Sequence, residues 1–348
     1  MKVALICPSN LLYMPYVDTY MNNLKEHNVK HIIINWDRFG YEKKNKYVYR
    51  DKKTGHKRSF FDYYKFSRFI KKILREEKTD KIVIFGLPLL FFFNRFLVTN
   101  YKGEYIIDIR DYNKILKIFN PAKVISKSAF TTISSPAYKE WLPISNKYIV
   151  NHNTKINNIH DLYPTKIKTS NDEIVISYIG SLAYLDENID LINSLKNNKD
   201  FSLLFHGEGI VNESLNNYIK SNNIRNAQVY GRYNRDSEKN LYLESDIINM
   251  MLYNKNINNK TCLSNRLYNS FLYGKPLIAF SGTFLAEIID KYKLGLVINS
   301  FNNIEKNIIN YLLNFDVKEY EKCRIEFCEK VIKDNKYFAE MFHKLLGI

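Results

Sequence analysis

The chain has 348 residues, more than twice the ~100–150 typical of one domain, so its length predicts two domains. Its 45% hydrophobic and 25% charged residues are typical of a globular protein and exclude a disordered one. Its 52 Lys and Arg against 36 Asp and Glu give a net charge of +16, which favours an anionic partner such as a membrane surface, a nucleotide or a nucleic acid. The four cysteines form no CxxC pair and no cluster with histidine, so we expect neither a zinc site nor a disulfide framework.

Two apolar runs are too short for export or for a membrane span. Val3–Cys7 ends at Pro8, and a signal-peptide core needs roughly 7–15 apolar residues. Ile82–Phe93 contains Gly86 and Pro88 and is 12 residues long, against about 20 for a spanning helix. We therefore expect a cytoplasmic protein, with a peripheral location on the inner face of the plasma membrane left open.

The first half alternates short apolar runs with amphipathic helical patterns such as Tyr16–Glu26 and Phe60–Glu77. The predicted strands are Val3–Ile6, His31–Asn35, Ile82–Phe85, Tyr105–Ile109, Phe130–Ile133 and Tyr148–Val150. Strands that are apolar almost throughout indicate a parallel sheet covered by helices on both faces.

The same rhythm restarts after a polar, aperiodic segment at 152–172, which we interpret as a linker. The second set of predicted strands is Ile174–Ile179, Ser202–Phe205, Ala227–Tyr230, Ile247–Met251, Pro276–Phe280 and Gly295–Ile298. We thus predict an N-terminal domain over 1–151 and a C-terminal domain over 173–348, whose last helix is a candidate to cross back to the first domain. The carboxyl ends of both parallel sheets would face a cleft between the domains.

Three predicted strands of the second half end in glycine motifs. The motifs are Gly180-Ser181, His206-Gly207 and Gly231-Arg232. Glycine lets a ligand approach the backbone closely, and the Ser181 hydroxyl can bond a phosphate. Taken alone, each motif is better explained without a ligand: the first as an ordinary strand-to-loop turn, the second as a structural histidine and the third as a solvated surface arginine.

A fourth motif is a capped helix that follows Leu263. Ser264 or Asn265 can cap it, and the free N–H groups of its first turn suit a diphosphate. Arg266 adds a fork-shaped donor, and Asn269, one turn further on, can reach a ribose hydroxyl. The alternative is a well-capped crossover helix with no ligand.

In this order, the four motifs resemble the nucleotide-sugar-binding domain of GT-B glycosyltransferases, specifically family 4-type enzymes of bacterial surface-polysaccharide synthesis. The matching elements are YIGSL, FHGEG, VYGRYNRDSEKNLYLESDIIN and LSNRLYNSFLYGKPLIA, followed by Glu287 and Gly295. The first half matches more loosely, through its opening strand, NWDR at 35–38 and DIRD at 108–111.

The resemblance implies an α/β protein of the GT-B class, with two Rossmann-like domains whose parallel sheets face an interdomain cleft. It implies a hexosyltransferase that moves a sugar from a nucleotide diphosphate sugar to a lipid-linked or oligosaccharide acceptor in capsule, O-antigen or other surface-polysaccharide synthesis, with retention of configuration. No DxD triplet occurs in the chain, in agreement with a family that needs no bound metal, and no cofactor besides the donor is expected.

The second half departs from the family pattern at two places. Two glutamates eight residues apart are common in relatives, and the aligned positions here are Thr261 and Asn269. Ser181 stands where many relatives carry arginine, so diphosphate neutralisation falls to Arg232, Arg266 and backbone N–H groups. A UDP-sugar 2-epimerase-like enzyme and a catalytically inactive GT-B partner subunit therefore stay open as alternatives.

The resemblance implies that the first domain binds the acceptor. Asp108, Arg110 and Asp111 follow a predicted strand and should reach the cleft. A carboxylate there can hold an acceptor hydroxyl, and Arg110 can hold a phosphate. A surface ion pair explains the segment equally well.

Residues 38–76 carry 14 of the basic residues against four acidic ones, with ten aromatic residues interleaved. The pattern suits an anionic lipid surface, and Lys43, Lys44, Lys52 and Lys53 lie in a loop-like stretch that could meet it. It also suits single-stranded nucleic acid, or a solvated helix face with its aromatic residues in the core. The sugar-nucleotide motifs favour the membrane, and we expect no nucleic-acid partner.

Overall fold

The structure of the protein, a computed structural model, describes residues 1–42, 45–167 and 173–348. These residues divide into two α/β units. Unit 1 comprises Met1–Asn153 and Asp334–Ile348, and unit 2 comprises Thr154–Lys333. The final segment of the chain is therefore part of the first unit.

Unit 1 is built on a parallel sheet of short, apolar strands. Its strands in the described residues are β1 (Lys2–Cys7), β2 (Lys30–Asp37), β3 (Tyr47–Arg50), β4 (Lys81–Phe85), β5 (Tyr105–Ile109), β6 (Phe130–Ile133) and β7 (Tyr148–Val150). Their order in the sheet is β3-β2-β1-β4-β5-β6-β7, and all neighbours are parallel. The order reverses between β1 and β4, and open sheets of this kind bind ligands beside the carboxyl ends at such a point.

Helices cover this sheet, and one of them begins at a reciprocal side-chain cap. They are α1 (Val17–Glu26), α2 (Phe60–Glu77), α3 (Leu87–Asn100) and α4 (Ala122–Ser126). In α2, Ser59 and Asp62 form a reciprocal capping box. The helix buries Phe66, Ile70 and Leu74, which recur at helical spacing.

Unit 2 repeats the design with a second parallel sheet. Its strands in the described residues are β8 (Ile174–Ile179), β9 (Phe201–His206), β10 (Ala227–Gly231), β11 (Ile247–Asn249), β12 (Leu277–Phe280) and β13 (Gly295–Ile298). The order is β10-β9-β8-β11-β12-β13, with its reversal between β8 and β11. The helices of this half are α5 (Leu185–Ser194), α6 (Asn212–Ser221), α7 (Glu238–Glu244), α8 (Ile257–Thr261), α9 (Asn265–Leu272), α10 (Phe284–Lys291), α11 (Ile304–Leu313) and α12 (Val317–Leu346).

The predicted α/β class with parallel sheets is confirmed, and every predicted strand is present. Strand β3 was not expected, because its residues lie within the basic stretch; it pairs with β2 at the edge of the sheet. Helix α3 continues past Asn94 and Arg95 to Asn100, so it is longer than the apolar run that predicted it.

The segment interpreted as a linker is packed against unit 2 over residues 154–167. Ile156 is buried in a core cluster of that unit. The Tyr163 N–H donates to the Leu272 carbonyl at 2.8 Å, and the Thr165 N–H donates to Glu321 Oε1 at 2.7 Å. The polar composition of the segment gave no sign of these contacts, because they are made by backbone groups and isolated apolar residues. Residues 168–172 lie outside the described part of the chain.

Helix α12 begins in unit 2 and ends in unit 1. Phe338 and Phe342 belong to a buried core cluster of unit 1. Their rings lie 5.1 Å and 5.3 Å from that of Tyr20 on α1. The last residues of the chain thus complete the core of the first unit. Across the described residues, no helix combines the length and apolarity needed to cross a bilayer.

Candidate functional site

The glycine motifs of unit 2 lie side by side at the carboxyl edge of its sheet. The Gly180 N–H donates to the His206 carbonyl at 2.9 Å, and the Gly207 N–H donates to the Gly231 carbonyl at 2.7 Å. These bonds join the ends of β8, β9 and β10 in a row. The structure thus brings together three motifs that the sequence places about 25 residues apart.

Gly207 is required by close backbone packing. Its φ is +137°, and a Cβ at this position would lie 1.7 Å from the Gly180 carbonyl oxygen. No side chain can occupy that space without moving the end of β8. The glycine after β9 therefore keeps two neighbouring loops in contact at the edge of the sheet.

Helix α9 begins beside Gly180 and presents Arg266 there. Ser264 caps the helix by accepting from the Arg266 N–H at 3.3 Å, and Asn265 is exposed at the first turn. Arg266 Cγ lies 4.0 Å from the position of a Cβ on Gly180. The helix N-terminus and the first glycine motif thus form one site, at which Ser181 is also exposed.

The Arg266 guanidinium is oriented by two contacts. Its carbon lies 3.5 Å from the centre of the Tyr178 ring, and Nη1 donates to the Asn249 carbonyl at 3.0 Å. Within the described residues, Nε and Nη2 have no protein partner, and the side chain is partly exposed. An oriented guanidinium at the N-terminus of a helix is suited to binding a phosphate or diphosphate.

His206 and Arg232 flank this site in different ways. The His206 ring is buried and stacks on Tyr230, with the centroids 4.7 Å apart. Burial lowers the pKa of His206, so its imidazole is uncharged near neutral pH. The Arg232 side chain is 77% exposed and lies 3.9 Å from Glu208, a pair that contributes little to stability.

A carboxylate that the sequence analysis missed lies next to Asn269. Oε1 of Glu238 is 3.5 Å from Asn269 Nδ2 and accepts from the Tyr233 hydroxyl at 3.1 Å. The Glu238 side chain is only 17% exposed. Thr261, the other position at which relatives commonly carry a glutamate, is buried. Its hydroxyl donates to the Ile257 carbonyl of its own helix at 2.7 Å. The signal for Glu238 was its place in the third matching element, 31 residues before Asn269.

In unit 1, the prediction that Asp108 holds an acceptor hydroxyl needs correction. Asp108 is fully buried, and its carboxylate accepts from Arg110 Nε at 2.6 Å, Arg110 Nη2 at 2.7 Å and the Tyr20 hydroxyl at 2.7 Å. Its residue type and position could not reveal that both oxygens are engaged. Asp108 is therefore a positioning residue for Arg110.

Arg110 is held on several sides. Besides Asp108, its Nη1 donates to the Asn151 carbonyl at 2.8 Å, and its guanidinium carbon lies 4.7 Å from the Tyr16 ring centre. Burial would lower the pKa of Arg110, but Asp108 raises it above its usual value. The charge is thus permanent and largely neutralised within the protein.

Asp111 is the accessible acid of this segment. Its side chain is exposed, yet desolvation by the surrounding protein raises the pKa of the carboxyl to about 6, while the charge of Arg110 acts to lower it. Next to it in the chain, Tyr112 contacts Trp141 edge to face, with ring centroids 5.5 Å apart. Of the three predicted residues, Asp111 is the one available to a ligand.

Two arginines of the basic stretch at 38–76 are engaged by other residues of the same part of the chain. Arg38 is buried over Trp36 and donates to the His56 carbonyl at 2.7 Å and the Tyr63 hydroxyl at 2.9 Å. Arg58 also lies over Trp36 and pairs with Asp51 at 2.8 Å. These cations stabilise the stretch itself.

The four lysines predicted to meet a membrane are not equivalent. Lys43 and Lys44 lie outside the described residues. Lys52 is exposed, and Lys53 pairs with Asp62 at 2.5 Å. Lys52 and Lys53 lie outside helices and strands, whereas residues 47–50 just before them form β3.

A cavity of about 420 Å³ lies at the carboxyl ends of β12 and β13. Its polar lining includes Glu287, Asp290, Asn299 and Asn307. None of the predicted donor-binding residues lines it, although it opens at the same edge of the sheet. In the part of the chain that the structure describes, no group of three or more His, Cys, Asp and Glu side chains could hold a metal ion.

No family model matches the chain, and no curated protein matches it. Solved structures do match along its length. Sucrose-phosphate synthase from Thermosynechococcus elongatus is 12% identical with a TM-score of 0.74, and the match covers 100% of this chain and 99% of that one. The lipopolysaccharide outer core galactosyltransferase WaaB is 15% identical with a TM-score of 0.66 over 99% and 100% of the two chains.

Anabaena HepE in complex with UDP and glucose is a third similar structure, with 12% identity, a TM-score of 0.65 and coverage of 99% and 100%. At these identities the likeness establishes the fold. The chain therefore has the GT-B fold, as predicted, with two Rossmann-like units that each contain a parallel sheet.

Proposed function

We propose that the protein is a glycosyltransferase that moves a sugar from a nucleotide diphosphate sugar to a glycan acceptor. The observation that carries this proposal is the site formed by Gly180, Gly207 and Arg266 at the N-terminus of α9. Structures of the same fold include HepE in complex with UDP-glucose, which supports a UDP-linked donor. The order of the four motifs favours a family 4-type hexosyltransferase.

Different residues of unit 2 bind different parts of the nucleotide sugar. The N-terminal turn of α9 and the free donors of Arg266 bind the diphosphate, where Ser181 adds a hydroxyl. Asn269 and Glu238 bind ribose hydroxyls, since an amide beside a carboxylate offers both a donor and an acceptor. The exposed Arg232 adds charge near the phosphates.

A front-face reaction with retention of configuration fits these residues. The acceptor oxygen forms a bond to the anomeric carbon as the bond to the diphosphate oxygen breaks, and the acceptor proton passes to the departing phosphate. Such a step requires positioning and stabilisation of the developing diphosphate charge. Arg266 and α9 provide the stabilisation, and Asp111 holds the acceptor hydroxyl. No residue need form a covalent intermediate.

The acceptor is a lipid-linked glycan of capsule, O-antigen or other surface-polysaccharide synthesis, and the protein works at the inner face of the plasma membrane. The support is the resemblance of the motifs to surface-polysaccharide enzymes together with the +16 charge.

The test of this function begins with donor binding. A panel of nucleotide sugars is screened by thermal shift, and the best donor is titrated by calorimetry. Arg266→Ala is expected to weaken affinity at least about tenfold, because it removes charge-assisted hydrogen bonds worth roughly 1.5–3 kcal/mol. Arg225→Ala, at an exposed arginine of the same unit, is the control and should bind normally. Equal affinity in Arg266→Ala and the parent protein would show that the phosphate site is wrongly assigned.

Turnover with an extract of lipid-linked acceptors then separates the alternatives. Transfer that depends on acceptor supports the proposal. An epimerase would release or convert the sugar without acceptor, and an inactive partner subunit would bind the donor with no turnover.

We also propose that transfer needs no metal, since the chain contains no DxD triplet. Initial rates in excess EDTA should match those in magnesium. Loss of transfer in EDTA that magnesium or manganese restores would contradict this.

A further inference from the structure

Unit 1 carries a group of large apolar side chains, of which four are exposed and two, Phe91 and Phe92, are half-buried. This group, the aromatic surface, consists of Phe60, Phe61, Tyr64, Phe91, Phe92 and Ile118. It combines the first turn of α2, the middle of α3 and the turn that follows Lys114–Lys117. Phe61 and Ile118 are each 72% exposed, and Phe60 and Tyr64 are 50% and 48% exposed.

Ring contacts connect the aromatic surface across its three elements. The Phe60 ring lies 4.6 Å from Phe92 and 5.5 Å from Phe91. Phe91 in turn lies 5.4 Å from Phe119, the neighbour of Ile118. The rings of α2 and α3 and that of Phe119 are therefore in contact, and the exposed Ile118 is next to Phe119 in the chain, unlike apolar residues that are exposed singly.

Basic side chains border the patch. Lys65 and Arg68 are exposed on α2, four residues after Phe61 and Tyr64 respectively, so they lie on the same face of the helix. Lys114 and Lys117 are exposed just before Ile118. The acid in this part of α2, Asp62, is already engaged by Lys53 and by the Ser59 cap. The border is thus positively charged.

We infer that the aromatic surface docks on an anionic lipid bilayer. Aromatic rings settle at the membrane interface, and a border of lysine and arginine is attracted to anionic headgroups. This charge complementarity, in a chain of net charge +16, favours a lipid surface over a second copy of the same cationic chain. The inference deepens the proposed function and rests on it for the lipid-linked nature of the acceptor.

The aromatic surface also adjoins the proposed acceptor residue along the chain. Ile118 follows Asp111 by seven residues, so their backbones are at most ~25 Å apart. A protein docked through this surface would hold Asp111 close to a glycan on a lipid anchor. The inferred membrane contact is therefore made by α2, α3 and the turn at 114–118.

Co-sedimentation with vesicles tests the surface without donor or acceptor. The full chain should bind vesicles of phosphatidylcholine with about a quarter phosphatidylglycerol, bind pure phosphatidylcholine weakly, and lose binding as salt rises. Phe61→Ser with Ile118→Ser should weaken vesicle binding roughly tenfold or more. Lys65→Glu with Arg68→Glu should weaken it at least about tenfold.

Matched controls use residues of similar exposure in unit 2. They are Ile210→Ser with Leu313→Ser, and Lys199→Glu with Lys220→Glu. Circular dichroism and donor affinity, measured for every variant, show that the fold is kept. Controls that lose as much vesicle binding as the surface variants would overturn the assignment, as would a parent protein that binds no anionic vesicle at any salt.

Two further outcomes identify a different occupant and also overturn the inference. A parent protein that is dimeric by sedimentation and becomes monomeric in Phe61→Ser with Ile118→Ser would show that a second copy covers the surface. Tight oligonucleotide binding without vesicle binding would indicate nucleic acid. A protein that docks on vesicles but transfers no sugar would refute the proposed glycosyl transfer alone. Transfer to a soluble acceptor without docking would refute this inference and the proposed membrane location, and would leave glycosyl transfer standing.

Discussion

At the scale of single residues, the end of β5 shows how burial separates the roles of neighbours. Asp108 and Arg110 are buried together and engage one another through two hydrogen bonds. Asp111, one residue further on, is exposed and has a carboxyl pKa of about 6. The charges of Asp108 and Arg110 therefore hold each other in position, whereas the carboxyl group of Asp111 is available to titrate.

We expect transfer to fall at acidic pH because of Asp111. Since its pKa in the folded protein lies above the usual value of 3.8, the carboxylate is charged at pH 7–8 and gains a proton as the pH falls through about 6. A protonated carboxyl holds an acceptor hydroxyl less well, so kcat/KM should drop below that pH. Asp111→Asn should remove this decline of the rate at acidic pH and lower kcat/KM by roughly 10² at pH 8, because the acceptor hydroxyl is then less well positioned.

Initial rates between pH 5 and 9 measure both effects, with donor affinity measured alongside. Asp18→Asn, at an exposed acid of the same unit, should keep the parent profile. If kcat/KM of Asp111→Asn still falls at acidic pH as in the parent protein, a group other than Asp111 causes the fall.

At the scale of elements, the candidate donor site depends on how strand ends meet a helix. β8 and β9 end in loops that touch through Gly207 and the Gly180 carbonyl. Helix α9 then begins against Gly180, so the position of Arg266 depends on this contact. A disturbance of the glycines should thus reach the phosphate-binding residues without altering any of them.

Gly207→Ala and Gly231→Ala separate steric clash from backbone strain. Both glycines have positive φ, but an added Cβ meets the Gly180 oxygen at 1.7 Å in the first and nothing within 4 Å in the second. Gly231→Ala should cost about 1–2 kcal/mol of unfolding free energy from strain alone. Gly207→Ala should cost at least about 3 kcal/mol and weaken the donor by more than about tenfold. Denaturant unfolding and calorimetry measure the two quantities, and equal losses in both variants would argue against a close approach of the loops.

At the scale of the whole molecule, the end of the chain supports the core of unit 1. Phe338 and Phe342 pack on Tyr20, whose hydroxyl donates to Asp108 at 2.7 Å. His152 and Asp334 add a contact at 3.1 Å within the same unit. The C-terminal segment therefore supports the residues that position Arg110.

Phe338→Ala should destabilise unit 1 selectively. Loss of a fully buried phenylalanine leaves a cavity and should cost about 3–5 kcal/mol. Hydrogen exchange should increase in β1, β4, β5 and β6, while the strands of unit 2 and the donor affinity stay as in the parent. Tyr337→Ala, at the exposed neighbouring position, is the control and should leave exchange unchanged. Equal loss of protection in both units would show that the segment does not act on unit 1 in particular.

The sequence by itself determined the described strands other than β3 and the motifs that depend on local chemistry. Strands of parallel sheets are buried on both faces and appear as short apolar runs, as in β5 and β8, and Ser264 is recognisable as a helix cap. Only the tertiary structure decided which polar residues are buried. Asp108, Arg38 and Glu238 obtain their surroundings from partners distant in the chain, such as Tyr20 for Asp108 and Asn269 for Glu238. The aromatic surface also depends on the tertiary structure, because α2, α3 and the turn at 114–118 meet only in the folded chain. The spacing of apolar residues in the sequence shows which positions of one helix or strand are buried. A functional site depends instead on which helices and strands pack together, and this is decided only by the tertiary structure.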